Sequence, residues 1–293
     1  LAAHTLGYTQ LITQNEFSKL SDKGYKVSDR IGRQGIEAAF ESKLRGQWGG
    51  EMLEIDAIGT VQRSLGLKLP KAGQDIKLTL DIALQRTAEK VLSDKEGGAI
   101  VALDPRTGAI RAIASQPTFD LNFFSKPFTS SQYNNLFLSS KRPLLSRAFN
   151  AYDPGSTWKP ITAIAGMESG KFPSSRKLNT VPCIRYGSHC FSEYNQKGFG
   201  WIGYEDAFRV SSNTFFYQVG VGVGSKALYD AAFKLGFDNY SGIETAIDEN
   251  KGLVGNKEWA DQGRGWGNPG ETPWIVEDMA SASIGQSVVQ VTP

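Results

Sequence analysis

The sequence predicts an α+β protein, built from an antiparallel β-hairpin and separately buried helices. The first observation is a pair of apolar runs, Ala99-Ile100-Val101-Ala102-Leu103 and Ala109-Ile110-Arg111-Ala112-Ile113-Ala114, joined by Asp104-Pro105-Arg106-Thr107-Gly108. Pro at the second turn position and Gly near its end suit a tight turn. The apolar content of both runs argues for a central sheet buried on two sides. The second observation is apolar spacing of helical period after Asp81, Ser156 and Ser225. The 293 residues, 40% hydrophobic and 21% charged, suit one large globular domain or two smaller ones. A net charge of +2 gives no electrostatic argument for nucleic acid. No run approaches the roughly 18 apolar residues of a membrane span, and no signal peptide opens the sequence. It begins Leu1-Ala2-Ala3-His4, without Met, and both ends are expected to be cut.

Residues 1–75 read as a small mixed region. Ile36, Phe40 and Leu44 fall at i, i+4 and i+8, one face of a helix over 35–44 closed by Gly46. Residues 51–63 are β-rich and turn at Gly59. Lone His4 lacks the partners a catalytic histidine needs. Lys68-Leu69-Pro70-Lys71-Ala72-Gly73 is a connector and marks a boundary. Ile76-Lys77-Leu78-Thr79-Leu80 alternates as a strand, and Asp81 is placed to cap the helix behind it. That helix is expected to bury Leu84, Ala88, Val91 and Leu92. After the hairpin, residues 115–150 read as a long irregular segment, a length that goes with function or mobility. Ser225 is expected to cap a helix carrying Leu228, Ala232 and Leu235 and ended by Gly236. Gly263–Pro273 reads as a Gly/Pro-rich loop. No internal repeat is evident.

The chemistry concentrates in Asp153-Pro154-Gly155-Ser156-Thr157-Trp158-Lys159-Pro160. Pro154 and Gly155 form a turn, and Ile161, Ile164, Ala165 and Met167 then mark a buried helix starting at or near Ser156. Residues three apart share a helical face, so Ser156 and Lys159 would stand side by side at a helix N-terminus. A serine hydroxyl needs a neighbouring base to become a nucleophile, and a lysine neutralised by burial can be that base. The positive end of the helix favours a developing oxyanion. S-x-x-K is a signature of penicillin-binding proteins and β-lactamases. A chain of this length holds roughly one such match by chance. A second one, Ser174-Ser175-Arg176-Lys177, follows Pro173 in a polar segment and reads as a solvated loop. Taken alone, Ser156 could equally be a helix-capping serine beside a surface lysine. Ser211 and Asn213, in Val210-Ser211-Ser212-Asn213-Thr214, read alone as a helix cap or turn.

The two cysteines lie in Cys183-Ile184-Arg185-Tyr186-Gly187-Ser188-His189-Cys190, within a polar loop spanning 170–203. Three readings stand open: a local disulfide, two free thiols, or a metal site using Cys183, His189 and Cys190, for which no fourth ligand stands out.

Taken together the pieces become specific. Ser156-x-x-Lys159 is followed about fifty residues later by Ser211-x-Asn213. That order and gap match the first two motifs of penicillin-recognising serine acyl-transferases. Pro143-Leu144-Leu145-Ser146-Arg147-Ala148, Ala102-Leu103-Asp104-Pro105-Arg106-Thr107-Gly108, Thr214-Phe215-Phe216-Tyr217 and Ile284-Gly285-Gln286 resemble class B penicillin-binding proteins. Leu6-Gly7-Tyr8 and Gly35-Ile36-Glu37 resemble that class's N-terminal pedestal.

The resemblance implies the β-lactamase-like transpeptidase fold: a central antiparallel sheet with flanking helices and an all-helical lobe, residues 76–293, behind a partial pedestal or dimerisation-type domain, residues 1–75. It implies Ser156 as nucleophile, Lys159 as base, Ser211 as proton relay and Asn213 as a substrate-binding group. The substrate class would be peptidoglycan stem peptides, with β-lactams as inhibitors acylating the same serine. It further implies no cofactor, glycosyltransferase and elongation-complex partners, and a periplasmic catalytic domain anchored to the inner membrane. The family's third motif, K-[ST]-G, does not occur in this sequence. In the family it supplies an oxyanion donor, whose loss costs about 10²–10³ in rate. The chain by itself is therefore expected to be poorly active. A same-fold β-lactamase or D,D-carboxypeptidase, and a non-catalytic wall-synthesis scaffold or penicillin sensor, are the rival readings.

Overall fold

The chain folds as two units in the computed structural model, which describes residues 1–245, 247–264 and 270–293. The first unit comprises residues 1–148 and 243–248, the second 149–242 and 249–293.

The first unit opens with α1 (Ala3–Leu6) and the antiparallel pair β1 (Thr9–Leu11) and β2 (Arg30–Gly32). Between the strands, α2 (Gln14–Leu20) begins at a reciprocal cap: the Thr13 hydroxyl accepts from the Glu16 amide, and the Glu16 carboxylate accepts from the Thr13 amide. The single helix expected over 35–44 is two, α3 (Gly35–Ala39) and α4 (Glu41–Leu44), because Phe40 leaves the helical region at φ −111°, ψ 19°. The hairpin of β3 (Gly50–Ile55) and β4 (Val61–Lys68) turns at Gly59 as expected, around Asp56, which accepts the Ile58 and Thr60 amides. Ile76–Leu80 keeps its alternation of half-buried and exposed residues but joins no ladder. It is fastened instead by the Thr79 hydroxyl to Ile110 O (2.7 Å) and, just beyond it, the Asp81 amide to Arg111 O (2.8 Å).

Asp81 caps α5 (Ile82–Leu92) through the Ala83 and Leu84 amides. The helix presents a different face from the one its apolar residues suggest. Gln85, Ala88 and Leu92 are buried, whereas Leu84 and Val91 are 48% and 56% exposed. Gln85 turns inward because its amide pairs with both the N–H and the C=O of Ile113. Ile113 belongs to β6 (Ile110–Gln116), which pairs antiparallel with β5 (Gly98–Leu103) across the Asp104–Gly108 turn. Ala88, Leu92, Ala112 and Ala114 form the core there; β6 is buried at its centre and β5 half-buried. Residues 115–150 are more ordered than expected. A 3₁₀ turn, Leu121–Ser125, and α6 (Ser130–Tyr133), continuing into a wide turn over Asn134–Leu138, are held by stacked rings. Phe124 stacks on Tyr8, Phe123 on Phe128 and Tyr133 on Phe137.

The second unit is mainly helical. A 3₁₀ turn, Gly155–Trp158, leads into α7 (Lys159–Glu168). The expected loop over 170–203 contains four short strands, β7 (Leu178–Thr180), β8 (Cys183–Tyr186), β9 (His189–Ser192) and β10 (Gly200–Ile202), paired β7 with β10 and β8 with β9. Cys183 and Cys190 form a disulfide with Cα atoms 5.7 Å apart, so the free-thiol and metal readings fall away. Then follow α8 (Tyr204–Arg209), α9 (Asn213–Val223), α10 (Ser225–Lys234), β11 (Leu253–Val254), α11 (Lys257–Asp261), α12 (Val276–Ser283) and β12 (Val289–Gln290), the last strand pairing with β11. Helix α9 is the hub: Phe215, Phe216 and Val219 are fully buried, and α7, α10 and α12 pack round it. Small residues allow this close approach, since a Cβ on Gly220 would lie 2.2 Å from the Ser283 Cβ. Ser225 is the first residue of α10 and not its cap; Gly224, at φ 85°, holds that place. The helix buries Leu228, Ala231 and Ala232 while Leu235 is exposed. Of the loop expected over Gly263–Pro273, residues 265–269 lie outside the described residues; Arg264 donates to the Thr272 and Pro273 carbonyls and pairs with Asp278. Among the described residues no helix is long and apolar enough to cross a membrane.

Candidate active site

Ser156 stands in the 3₁₀ turn that precedes α7, three residues before Lys159, whose amide donates to Ser156 O. This backbone bond keeps the two residues one turn apart, as the spacing predicts. The turn is pinned from the chain's last segment. Gly155 N donates to Gly285 O (2.8 Å), Tyr152 and Val291 exchange backbone bonds (2.9 and 2.8 Å), and Ser287 N reaches Asp153 Oδ2. Gly285 sits at φ 71°, where a Cβ would lie 2.5 Å from Trp158 Cβ and 2.6 Å from Gly155 O. Ser156 itself is exposed, and its hydroxyl makes no hydrogen bond among the described residues.

Lys159 is 1% exposed. Its Nζ donates to Ser211 O (2.6 Å), Ser211 Oγ (3.1 Å) and Asn213 Oδ1 (2.8 Å). Burial lowers its pKa from 10.5 to about 8, against the opposing pull of the Glu193 charge. An ammonium has three protons, and three acceptors meet it here. Two of these, the Ser211 carbonyl and the Asn213 amide oxygen, can only accept; the Ser211 hydroxyl can also donate. A neutral Lys159 therefore keeps its two N–H bonds to the obligate acceptors and turns its lone pair toward the hydroxyl side.

Ser211 occupies the left-handed region at φ 50°, uncommon for a residue other than glycine. Ser212 caps α9 by accepting from the Phe215 amide, and Asn213 is the first helical residue. The cap-or-turn reading of this triplet thus describes its backbone, while the outer two residues turn toward Lys159. Glu193, which sequence reasoning missed, lies beneath the triplet with 0% exposure. It accepts from Ser212 Oγ (2.7 Å), Asn213 N (2.6 Å), Thr214 N (3.1 Å) and Thr214 Oγ1 (2.8 Å). A single glutamate in a polar loop carries no periodicity or spacing that would flag it.

Ser156, Ser211 and Asn213 line one cleft of about 450 Å³, with Arg209, Ile284 and Gln286 at its other walls. The second S-x-x-K is elsewhere: Ser174 and Lys177 are exposed, the serine in a turn closed by the Arg176 amide on Pro173 O and the lysine just beyond it. No group of three or more His, Cys, Asp or Glu able to hold a metal occurs among the described residues.

A buried lysine joining S-x-x-K to S-x-N on a helical lobe defines a class, and sequence comparison agrees with it. The profile of the penicillin binding protein transpeptidase domain matches residues 98–293, and that of the penicillin-binding protein dimerisation domain matches residues 1–78. The chain belongs to the penicillin-binding protein transpeptidase family. Within that family its likeness runs to the PBP2, or MrdA, members. It is 32% identical to the peptidoglycan D,D-transpeptidase MrdA of Acinetobacter baumannii, covering 100% of this chain and 43% of that protein. It is 32% identical to MrdA of Escherichia coli K12, covering 99% and 46%. The solved complex of PBP2 with MreC from Helicobacter pylori superposes with a TM-score of 0.88 at 26% identity, covering 100% of this chain and 53% of that one. The chain thus spans about half the length of the curated relatives it matches.

Proposed function

We propose that the protein is a peptidoglycan D,D-transpeptidase working through a Ser156 acyl-enzyme. The observation that carries this reading is Lys159: buried, depressed to about 8, and hydrogen-bonded to both Ser211 and Asn213. At pH 7 a lysine of pKa 8 is neutral about one time in ten, against about one in three thousand for an ordinary one. Ser156 Oγ attacks the carbonyl between the two terminal D-alanines of a stem peptide while Lys159 accepts its proton. The proton passes through Ser211 to the amine of the leaving D-alanine, the C–N bond breaks, and an ester to Ser156 remains. Asn213 holds the substrate's backbone amide. An amine of a neighbouring stem peptide then attacks the ester, forms the cross-linking amide and returns the proton to Ser156. A β-lactam acylates the same oxygen by ring opening. Acyl transfer by this route calls for no cofactor.

We read residues 1–75 as the pedestal and 76–293 as transpeptidase domain, a division the two matched profiles support. The MreC complex of the Helicobacter pylori relative supports partners from the elongation machinery. We further propose, from the family resemblance, that the catalytic part works in the periplasm at the inner membrane, beside a glycosyltransferase.

The test is covalent labelling of the whole protein with a fluorescent penicillin. The protein is expected to form a stable adduct on the peptide containing Ser156, and Ser156→Ala none. Equal labelling of both, or rapid release of hydrolysed penicillin, overturns the reading.

A further inference from the structure

We infer that Glu193 is the positioning residue that fixes the Ser211–Asn213 turn, and through it Lys159, for acyl transfer. The inference rests on the transpeptidase reading above. Its four contacts are all donors, spread over both carboxylate oxygens: two backbone amides and two hydroxyls from Ser212, Asn213 and Thr214. Those donors are the N-terminal groups of α9, an eleven-residue helix whose positive end favours a negative charge. Between them they hold Asn213, which touches Lys159, its neighbour Thr214, and Ser212, which joins it to Ser211. Ser211, at φ 50°, stays in a sparsely populated conformation only because its surroundings dictate it. The carboxylate is itself carried on a stiff support. It follows β9 directly, its amide continues the strand pairing by donating to Pro182 O (2.8 Å), and the Cys183–Cys190 disulfide clasps that hairpin.

A buried carboxylate that only capped α9 would serve stability alone. Glu193 also acts on the base: its charge pulls the Lys159 pKa up, against burial, which pulls it down. Tyr217 of α9 feels the same charge, and burial together with Glu193 pushes its pKa up to about 12, while Arg209 and Tyr194 line the cleft. Removing the Glu193 charge therefore moves Lys159 to release its proton at lower pH, while loosening the turn slows the reaction.

The experiment measures penicillin acylation rate against pH for the whole protein, Ser156→Ala, Glu193→Gln and Glu193→Asp. Wild type must label and Ser156→Ala must not; if they label alike, it is the transpeptidase reading that fails. Given that result, Glu193→Gln is expected to acylate slower, by up to about 100-fold for a site displaced by an ångström, with its rising pH limb moved to lower pH. Glu193→Asp keeps the charge and is expected to slow the reaction with the limb in place. A Glu193→Gln protein with wild-type rate, or a slower one with an unmoved limb, overturns the proposal and leaves Glu193 a helix cap. Should Glu193→Gln fail to fold, Ser212→Ala and Thr214→Val, each removing one hydroxyl donor, decide it: slowed acylation supports the proposal and wild-type rates overturn it.

Discussion

Two stretches of this chain spell S-x-x-K, and they differ in everything except the spelling. Ser174 lies exposed in a turn that one backbone bond closes, and Lys177 lies exposed just beyond it. Ser156 and Lys159 lie on a 3₁₀ turn fastened from the far end of the chain, with the lysine buried and three acceptors waiting for its protons. The spacing alone does not decide even adjacency, since Lys177 lies beyond the turn that holds Ser174. The proposed chemistry rests on what spacing cannot supply: desolvation, which brings Lys159 to about 8, and hydrogen-bond partners about fifty residues on. A motif in this family is therefore a statement about a neighbourhood, and only one of the two matches has it.

The comparison breaks most sharply at the lysines. Lys159→Ala is expected to lower the penicillin acylation rate by about 10²–10⁴, the usual worth of a general base, and Lys177→Ala to leave it unchanged. Stopped-flow or gel-based labelling checks both. Comparable losses from the two would mean that burial does not distinguish them.

The pH dependence sharpens the same contrast. A base must be neutral to act, so the acylation rate should climb as pH rises through about 8, the value burial gives Lys159, and level off above it. The sign for stability follows from the same depression. Between about 8 and 10.5 the unfolded chain binds a proton that the folded chain has released, so this group's contribution to stability rises with pH across that window. Tyr204 and Tyr217, pushed by burial up to about 12, act oppositely but only above the ordinary phenol value of 10. A rate that stays flat from pH 6 to 9, in a protein that labels on Ser156, removes Lys159 as the titrating base.

How far the sequence reveals all this depends on how local each cause is. Asp81 as a cap, the Asp104–Gly108 hairpin and the Ser156–Lys159 adjacency rest on contacts within a few residues, and each is present. Contacts between residues far apart in sequence are less legible. Gln85 displaced Leu84 and Val91 from the buried face of α5 because Ile113, twenty-eight positions away, offered it both backbone groups. The aromatic segment after residue 115 read as irregular because its order comes from ring stacking, which has no period. Glu193 was invisible for the same reason: its four donors belong to another element. The Ser211–Asn213 pair was legible only through resemblance, since its own residues say no more than helix cap.

Gly285 gives the mildest way to probe the contrast. Its carbonyl holds Gly155, the residue before the proposed nucleophile, while among the described residues the turn at Ser174 has no comparable clasp. At φ 71°, with Trp158 Cβ and Gly155 O at 2.5 and 2.6 Å from any added Cβ, alanine must push the turn and its clasp apart. Gly285→Ala is expected to cost about 1–3 kcal/mol, the range for overpacking a close contact, read as a fall in the thermal midpoint. It should slow acylation less than Lys159→Ala does, because the base and its partners are untouched. Gly50→Ala is the control, since nothing lies within 4 Å of a Cβ there. If Gly285→Ala is as stable as Gly50→Ala, the clasp does not hold the turn, and the two S-x-x-K stretches differ by the burial and the partners of the lysine.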